Sequence, residues 1–180
     1  MPAYENLLTY KQCEEIYDLT VEFCQRFLTG REMLRQRDQM VQAARSSKQC
    51  IAEGASQGTS LKGYIKMLGV SRGSLEELLV DYRDFARLRN ITVWNKSDPR
   101  LREMGERVKR VKRGTERHEL PSNPSQPSDP SYPLNYLIDL IIRTNYLLDK
   151  QKKSLEEKFI KEGGWSETLL RKRLDYRKKF

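Results

Sequence analysis

The sequence predicts an all-α protein: an antiparallel up-and-down four-helix bundle with a basic helical insertion, a Pro-rich linker and a C-terminal basic helix. Three observations predict it. Hydrophobic residues make up 37% of the 180-residue chain and charged residues 33%, the balance expected of amphipathic helices whose outer faces carry the charge. Of only seven prolines, five fall between Pro121 and Pro133, and glycines number ten. The rest of the chain therefore has few breakers, which favours long helices over many short strands. Finally, Leu61, Leu68, Leu75 and Tyr82 repeat every seven residues, with Tyr64, Ser71, Leu78 and Phe85 as a companion series. Four consecutive heptads of this kind mean bundle or coiled-coil packing.

The elements follow in order. Cys13, Ile16, Thr20, Phe23 and Phe27 fall at three- and four-residue steps, predicting a first helix over about 4–28. Thr29 stands three residues before Glu32, a capping-box spacing that would open a second helix after a turn at Gly30. That helix runs to about Glu53 with a stripe of modest size (Met33, Met40, Ala44, Ser47, Ile51), and Gly54 and Gly58 mark its end. The heptads form the third helix, widened by Ile65, Leu79 and Ala86. Gly73, mid-helix, costs up to ~1 kcal/mol relative to alanine, and close packing against another helix is the expected reason. Asp98-Pro99 reads as an N-cap and first-turn pair for a short basic helix lined by Leu101, Met104, Val108 and Val111. Such a helix could lie on the bundle, on RNA or on an anionic membrane, and packing on the bundle is expected because its apolar face lacks aromatics. Pro121, Pro124, Pro127, Pro130 and Pro133 recur every third residue, the pattern of a polyproline-II spacer reaching about 37 Å at ~3.1 Å per residue. Leu134, Ile138, Ile141, Asn145, Leu148, Leu155 and Phe159 then mark a long helix from about Leu134 to Glu162. Asn145 on that stripe either sets register or faces solvent at an edge. Gly163-Gly164 ends it, and Ser166 is placed to cap a last short helix.

Charge is concentrated. The chain carries +9 overall. Arg100 to Arg117 holds eight Lys/Arg against three acids, and Arg171 to Phe180 holds six against one, which leaves the remaining chain close to neutral. A neutral body with two basic segments suits a polyanionic partner, most commonly nucleic acid; solvated helix faces would also account for it. Cys13, Cys24 and Cys50 are odd in number and form no CxxC, so they read as small buried hydrophobes in a reducing compartment. No apolar run approaches the ~20 residues of a membrane span, and Met1 to Asn6 lacks a signal-peptide pattern, so the expected location is cytoplasmic.

Chemistry-bearing patterns are sparse. Glu53 and Glu76 could form a carboxylate pair, but bridging to Arg45 or Arg72 is the expectation. Arg113 and His118 have the Arg-x4-His spacing of HEPN-type helical ribonucleases, yet they flank Gly114 where arginine is frequent. There is no phosphate-cradling glycine loop, HExxH or serine–histidine arrangement. No catalytic, metal or cofactor residue is assigned.

Two stretches carry a resemblance. Residues 44–54, ending Gln49-Cys50-Ile51-Ala52-Glu53-Gly54, resemble a motif ending Asn-Ile-Ala-Glu-Gly, and Gly73-Ser74-Leu75-Glu76-Glu77 resembles a Gly-Ser-Leu-x-Glu signature. Both are found in the four-helix-bundle proteins encoded in intervening sequences of bacterial 23S ribosomal RNA genes. Ile16 to Thr20 is similar to that family's first helix, and the likeness spans about residues 4–95. Residues 134–177 resemble the four-helix-bundle suffix of some members, through Thr144 to Asp149 and Glu162 to Glu167. The chain departs from the motif at Cys50, where asparagine is usual. The resemblance implies an antiparallel bundle, often a homopentamer, without known enzymatic activity. It also implies kinship with the accessory variability proteins of diversity-generating retroelements, which engage nucleic acid and a reverse transcriptase.

The expected organisation is 1–95 for the first three bundle helices, 96–133 for the basic helix and Pro-Ser linker, and 134–180 for the fourth and suffix helices. The expected function is a non-enzymatic, cofactor-free scaffold that oligomerises and binds RNA or DNA through phosphate contacts. Arg107, Lys109, Arg110, Lys112 and Arg113, together with Arg171, Lys172, Arg173, Arg177, Lys178 and Lys179, would make those contacts. Expected partners are further copies of the chain, RNA or DNA, and a reverse transcriptase or other acidic protein, with no membrane. The alternatives are a protein-interaction module for an acidic partner and, more remotely, the ribonuclease.

Overall fold

The computed structural model of the protein describes residues 2–56, 60–112, 119–123 and 125–178, without the side chains of 107 and 109–112. Among the described residues the main elements are six α-helices: α1 (Leu8–Phe27), α2 (Leu34–Ser56), α3 (Leu61–Leu88), α4 (Pro99–Lys112), α5 (Ser131–Glu162) and α6 (Trp165–Arg177). One-turn 3₁₀ helices, Ala3–Asn6 and Arg31–Met33, precede α1 and α2.

Helix α1 packs on α2, α2 on α3, α3 on α5 and α5 back on α1. Their directions follow from the polar ties between them. Thr9 Oγ1 donates to Gln151 Oε1 at 2.7 Å and Tyr136 Oη to Glu15 Oε1 at 2.7 Å, so α1 and α5 run opposite ways. Gln151 Nε2 donates to Tyr64 Oη at 2.7 Å while Asn145 Nδ2 donates to Glu76 Oε2 at 3.3 Å, which sets α3 against α5 in the same sense. Ser71 Oγ donates to the Ser47 carbonyl at 2.8 Å, where the small residues of α2 let α3 come close.

The heptad residues Leu68, Ser71, Leu75, Leu78, Tyr82 and Phe85 are all buried, facing Ile16, Leu19, Phe23, Met40 and Ile51 from α1 and α2. Leu134, Leu137, Ile138, Ile141 and Leu148 close the core from α5. Phe23 stacks edge-on against both Tyr82 and Phe85 at 5.1 Å between ring centres, an arrangement favoured by the ring quadrupoles. The Tyr82 hydroxyl reaches no water and donates to Thr20 Oγ1 at 3.0 Å.

Several local expectations need correction. Gly54 does not end α2; it is buried inside the helix, where a Cβ would stand 2.6 Å from Tyr64 Cδ2 and 2.9 Å from Met67 Cβ. Gly73 does the reverse of what its position suggests, since a Cβ there would meet nothing within 4 Å. Thr29 makes no cap: Gly30 precedes the 3₁₀ turn with no side-chain cap bond, and the Glu32 carboxylate lies against Gly30 instead. Ser166 lies inside α6, which starts at Trp165, and Glu167 Oε2 accepts from the Gly164 amide at 2.9 Å.

The proline repeat forms no extended spacer in its described part. The third residues of the first three repeats are Asn123, Gln126 and Asp129; Asn123 Oδ1 accepts from the Ser125 amide at 3.0 Å, and asparagine and aspartate side chains that bond nearby backbone favour turns. Gln126 N donates to Asn123 O at 3.2 Å and Asp129 N to Gln126 O at 3.0 Å. Asp129 then accepts from the Ser131 amide at 2.9 Å, so α5 begins at Ser131 rather than Leu134. Leu120 N donates to Glu22 Oε2 at 2.9 Å and Arg26 Nη2 to Pro127 O at 2.8 Å, tying the segment to α1.

Candidate nucleic-acid interface

Helix α4 starts as its sequence implies. Asp98 Oδ1 accepts from the Arg100 amide at 3.0 Å and Pro99 takes the first helical position. The Arg100 side chain bonds the same carboxylate at 2.7 Å and holds it below the usual range for aspartate. Arg100 also lies 3.7 Å over the Trp94 ring, whose edge meets Tyr132. Leu101, Met104 and Val108 are buried against the body, as expected of this helix. Arg102 is exposed. Arg107, Lys109, Arg110 and Lys112 belong to α4, but their side chains lie outside the described set. Arg113, His118 and Lys179 lie outside the described residues, so the Arg113–His118 spacing has no described geometry.

Helix α6 is reached through Gly163, whose φ of 76° is a left-handed conformation that glycine adopts without strain. Arg171 Nη2 donates to the Glu162 carbonyl at 2.8 Å, satisfying one of the open carbonyls at the end of α5. No residue of α6 is buried. Arg171, Lys172, Arg173, Arg177 and Lys178 are exposed, and among the described residues no ion pair engages the last four.

Helices α4 and α6 meet α5 at different levels. A cleft of about 780 Å³ between α1, α4 and α5 is lined by Leu101, Val108, Tyr136, Leu140 and Arg143, which places α4 along the first part of α5. From Arg143 to Glu162, where α6 follows, α5 climbs roughly 30 Å at ~1.5 Å per residue. The described contacts of α4 and the start of α6 therefore fall at different levels along α5.

Of the motif acids, Glu76 pairs with Arg72 at 3.6 Å, and Arg72 also binds Asp149 at 2.9 Å, so this acid is a helix bridge. Glu53 is exposed, about two turns of α2 away from the Ser46 level at which Glu76 sits. No group of three or more His, Cys, Asp or Glu residues suited to a metal occurs among the described residues. All three cysteines are free and buried. Burial pushes the Cys13 and Cys24 thiols up to about 12 and raises Cys50. Asn145 is buried, and its Oδ1 has no partner among the described residues.

One feature was not expected from the sequence: an acidic groove of about 810 Å³ between α2 and α3, lined by Ala43, Ser46, Gly73, Glu77, Val80 and Asp81 among others. Burial, with Asp84 and Glu77 nearby, raises the Asp81 carboxyl above its usual range. The available signal was the run of acids on the outer heptad positions of α3, together with Gly69 and Gly73. No helix among the described residues is long and apolar enough to cross a membrane. Comparison with family models, curated proteins and solved structures finds no match.

Proposed function

We propose that the protein is a non-enzymatic scaffold that self-associates and binds RNA or DNA through phosphate contacts. In this reading α1, α2, α3 and α5 are an antiparallel up-and-down four-helix bundle, α4 is a basic insertion and α6 a suffix. The resemblance of residues 44–54 and 73–77 to the proteins of 23S ribosomal RNA intervening sequences supports the same reading. The observation that carries it is α6, whose Lys172, Arg173, Arg177 and Lys178 stand exposed without an acidic partner among the described residues. Cations in that state release counterions when they meet phosphates, so binding gains free energy that falls with salt and depends little on base sequence. Assembly into an oligomer would repeat weak contacts and raise avidity through effective concentration.

The test is fluorescence anisotropy of labelled single-stranded RNA and duplex DNA across a salt series. Wild-type protein should bind with affinity that falls steeply with salt. Each neutralised phosphate adds ~0.7–0.9 to the log–log slope, so replacing Lys172, Arg173, Arg177 and Lys178 with alanine should flatten it by about 3. Absence of binding at the lowest salt would overturn the assignment. Trp165, Leu170 and Tyr176, each more than half exposed on the same helix, favour a second reading in which α6 also recognises an acidic protein surface.

A further inference from the structure

Two surfaces left open by the fold complement each other. The first is α6. Helical periodicity puts Trp165, Leu169 and Tyr176 on one strip and Leu170 and Leu174 on another, with Arg173 and Arg177 between them. All five apolar side chains are close to half exposed or more. Two apolar strips separated by cations suit a groove with two walls better than a lipid surface, which selects for a single apolar face.

The second surface is the α2–α3 groove. Gly69 and Gly73 both look into open space, so another helix can approach the α3 backbone there. Val70 and Val80 are half exposed beside them. Glu77 and Asp81 form an acidic wall and have no ion pair among the described residues. On α3 the groove runs from Gly73 to Asp81, about 12 Å, and Gly69 and Asp84 continue the same face of the helix to about 22 Å, while the 13 residues of α6 span about 20 Å.

We propose that α6 of one copy docks in the α2–α3 groove of a second copy, with Arg173 and Arg177 facing Glu77 and Asp81. Pairing of α6 with α6 would oppose cations with cations, and the acidic groove removes that repulsion. Docking in the same chain is disfavoured by the exit of α6. Gly163, the Glu167–Gly164 bond and the Arg171–Glu162 bond hold its first turn beside Ser60 and Leu61, at the far end of α3 from Asp81. An interface between two different patches is heterologous, so it closes rings or extends filaments rather than stopping at a two-fold dimer. This docking rests on the self-association in the proposed function and gives it a mechanism.

The test is sedimentation velocity of the full chain, nuclease-treated so that RNA cannot bridge copies, over a concentration series. A groove variant (Glu77→Lys with Asp81→Lys) and a helix variant (Arg173→Glu with Arg177→Glu) should each weaken self-association roughly tenfold or more, and their equimolar mixture should restore it. Circular dichroism should remain that of the wild type for both. Self-association unchanged in both variants would overturn this docking and leave the scaffold reading standing. A wild-type protein that stays monomeric at every concentration would overturn the self-association itself, while the anisotropy measurement judges nucleic-acid binding separately. Weakening in each variant without restoration in the mixture would also overturn the pairing.

Discussion

Gly54 and Gly73 look alike in sequence, each followed by a small residue, yet a methyl group should act on them in opposite directions. At Gly54 a Cβ would press on Tyr64 and Met67 at 2.6 and 2.9 Å, and the Met67 atom it meets is a Cβ fixed to the α3 backbone. Gly54→Ala is expected to destabilise the fold by about 1–3 kcal/mol, more than the gain in helix propensity returns. At Gly73 nothing stands within 4 Å, so Gly73→Ala should stabilise by about 0.5–1 kcal/mol through a less flexible unfolded chain. Urea midpoints of the two variants check this, and shifts of the same sign would refute the packing described. Core positions such as Leu75 and Tyr82 were legible because periodicity encodes burial directly. The glycines were not, because one residue letter serves both close approach and open space. The caps failed for a related reason: Thr29 and Ser166 have the right chemistry, but α6 already begins at Trp165, where Glu167 accepts from the Gly164 amide, and the turn before α2 opens at Gly30.

Long elements were read well and their connections poorly. The five longest amphipathic patterns all became helices, whereas the described part of the proline repeat forms turns in which the Asn123 and Asp129 side chains accept from nearby amides. The sequence pointed to Asn145 as the polar residue of note on α5, but Asn135 does more to join elements. It is buried, accepts from Trp94 N at 2.7 Å, and donates to Thr92 O at 3.1 Å and Ser131 O at 2.8 Å. Two bonds to the segment between α3 and α4, with a third to Ser131 within α5, fix that crossing against the start of α5. Periodicity cannot reveal this, since the partners are backbone groups of an irregular segment. Asn135→Ala should cost about 1–3 kcal/mol, because the Trp94 amide loses its acceptor where water has little access. Amide hydrogen exchange should quicken at Trp94 while the centre of α3 keeps its protection. An unchanged Trp94 amide would mean that the crossing is held by Trp94 stacking on Arg100 and Tyr132 alone.

For the whole molecule, the charge count revealed two basic segments, whereas the length of α5, roughly 30 Å from the Arg143 level of α4 to the start of α6, belongs to the fold. The acidic groove went unread because Glu77 and Asp81 occupy positions that, in one helix, belong to a solvated face. The titratable groups lead to a sharper expectation, on the alkaline side. Cys13 and Cys24 are pushed up to about 12 by burial, and Tyr82 and Tyr136 are raised by the same cause. Each of these groups is neutral when protonated, and the folded state favours that form. The unfolded chain releases its thiol protons near 9, while the native chain retains them to about 12. In that window the unfolded state binds fewer protons, so stability falls as pH rises, by up to about 1.4 kcal/mol per pH unit for each thiol. Below about pH 9 the contribution is intact. Unfolding free energy from urea titrations should therefore be nearly level from neutral pH to about 8.5 and fall above 9. Cys13→Ala and Cys24→Ala should each lower the plateau but make the alkaline fall shallower. A thiol reagent at pH 8 should label these cysteines only at the rate of unfolding, since burial denies it both access and thiolate. Immediate labelling of either residue in the native protein would show that the core between α1, α2 and α3 is not closed around them.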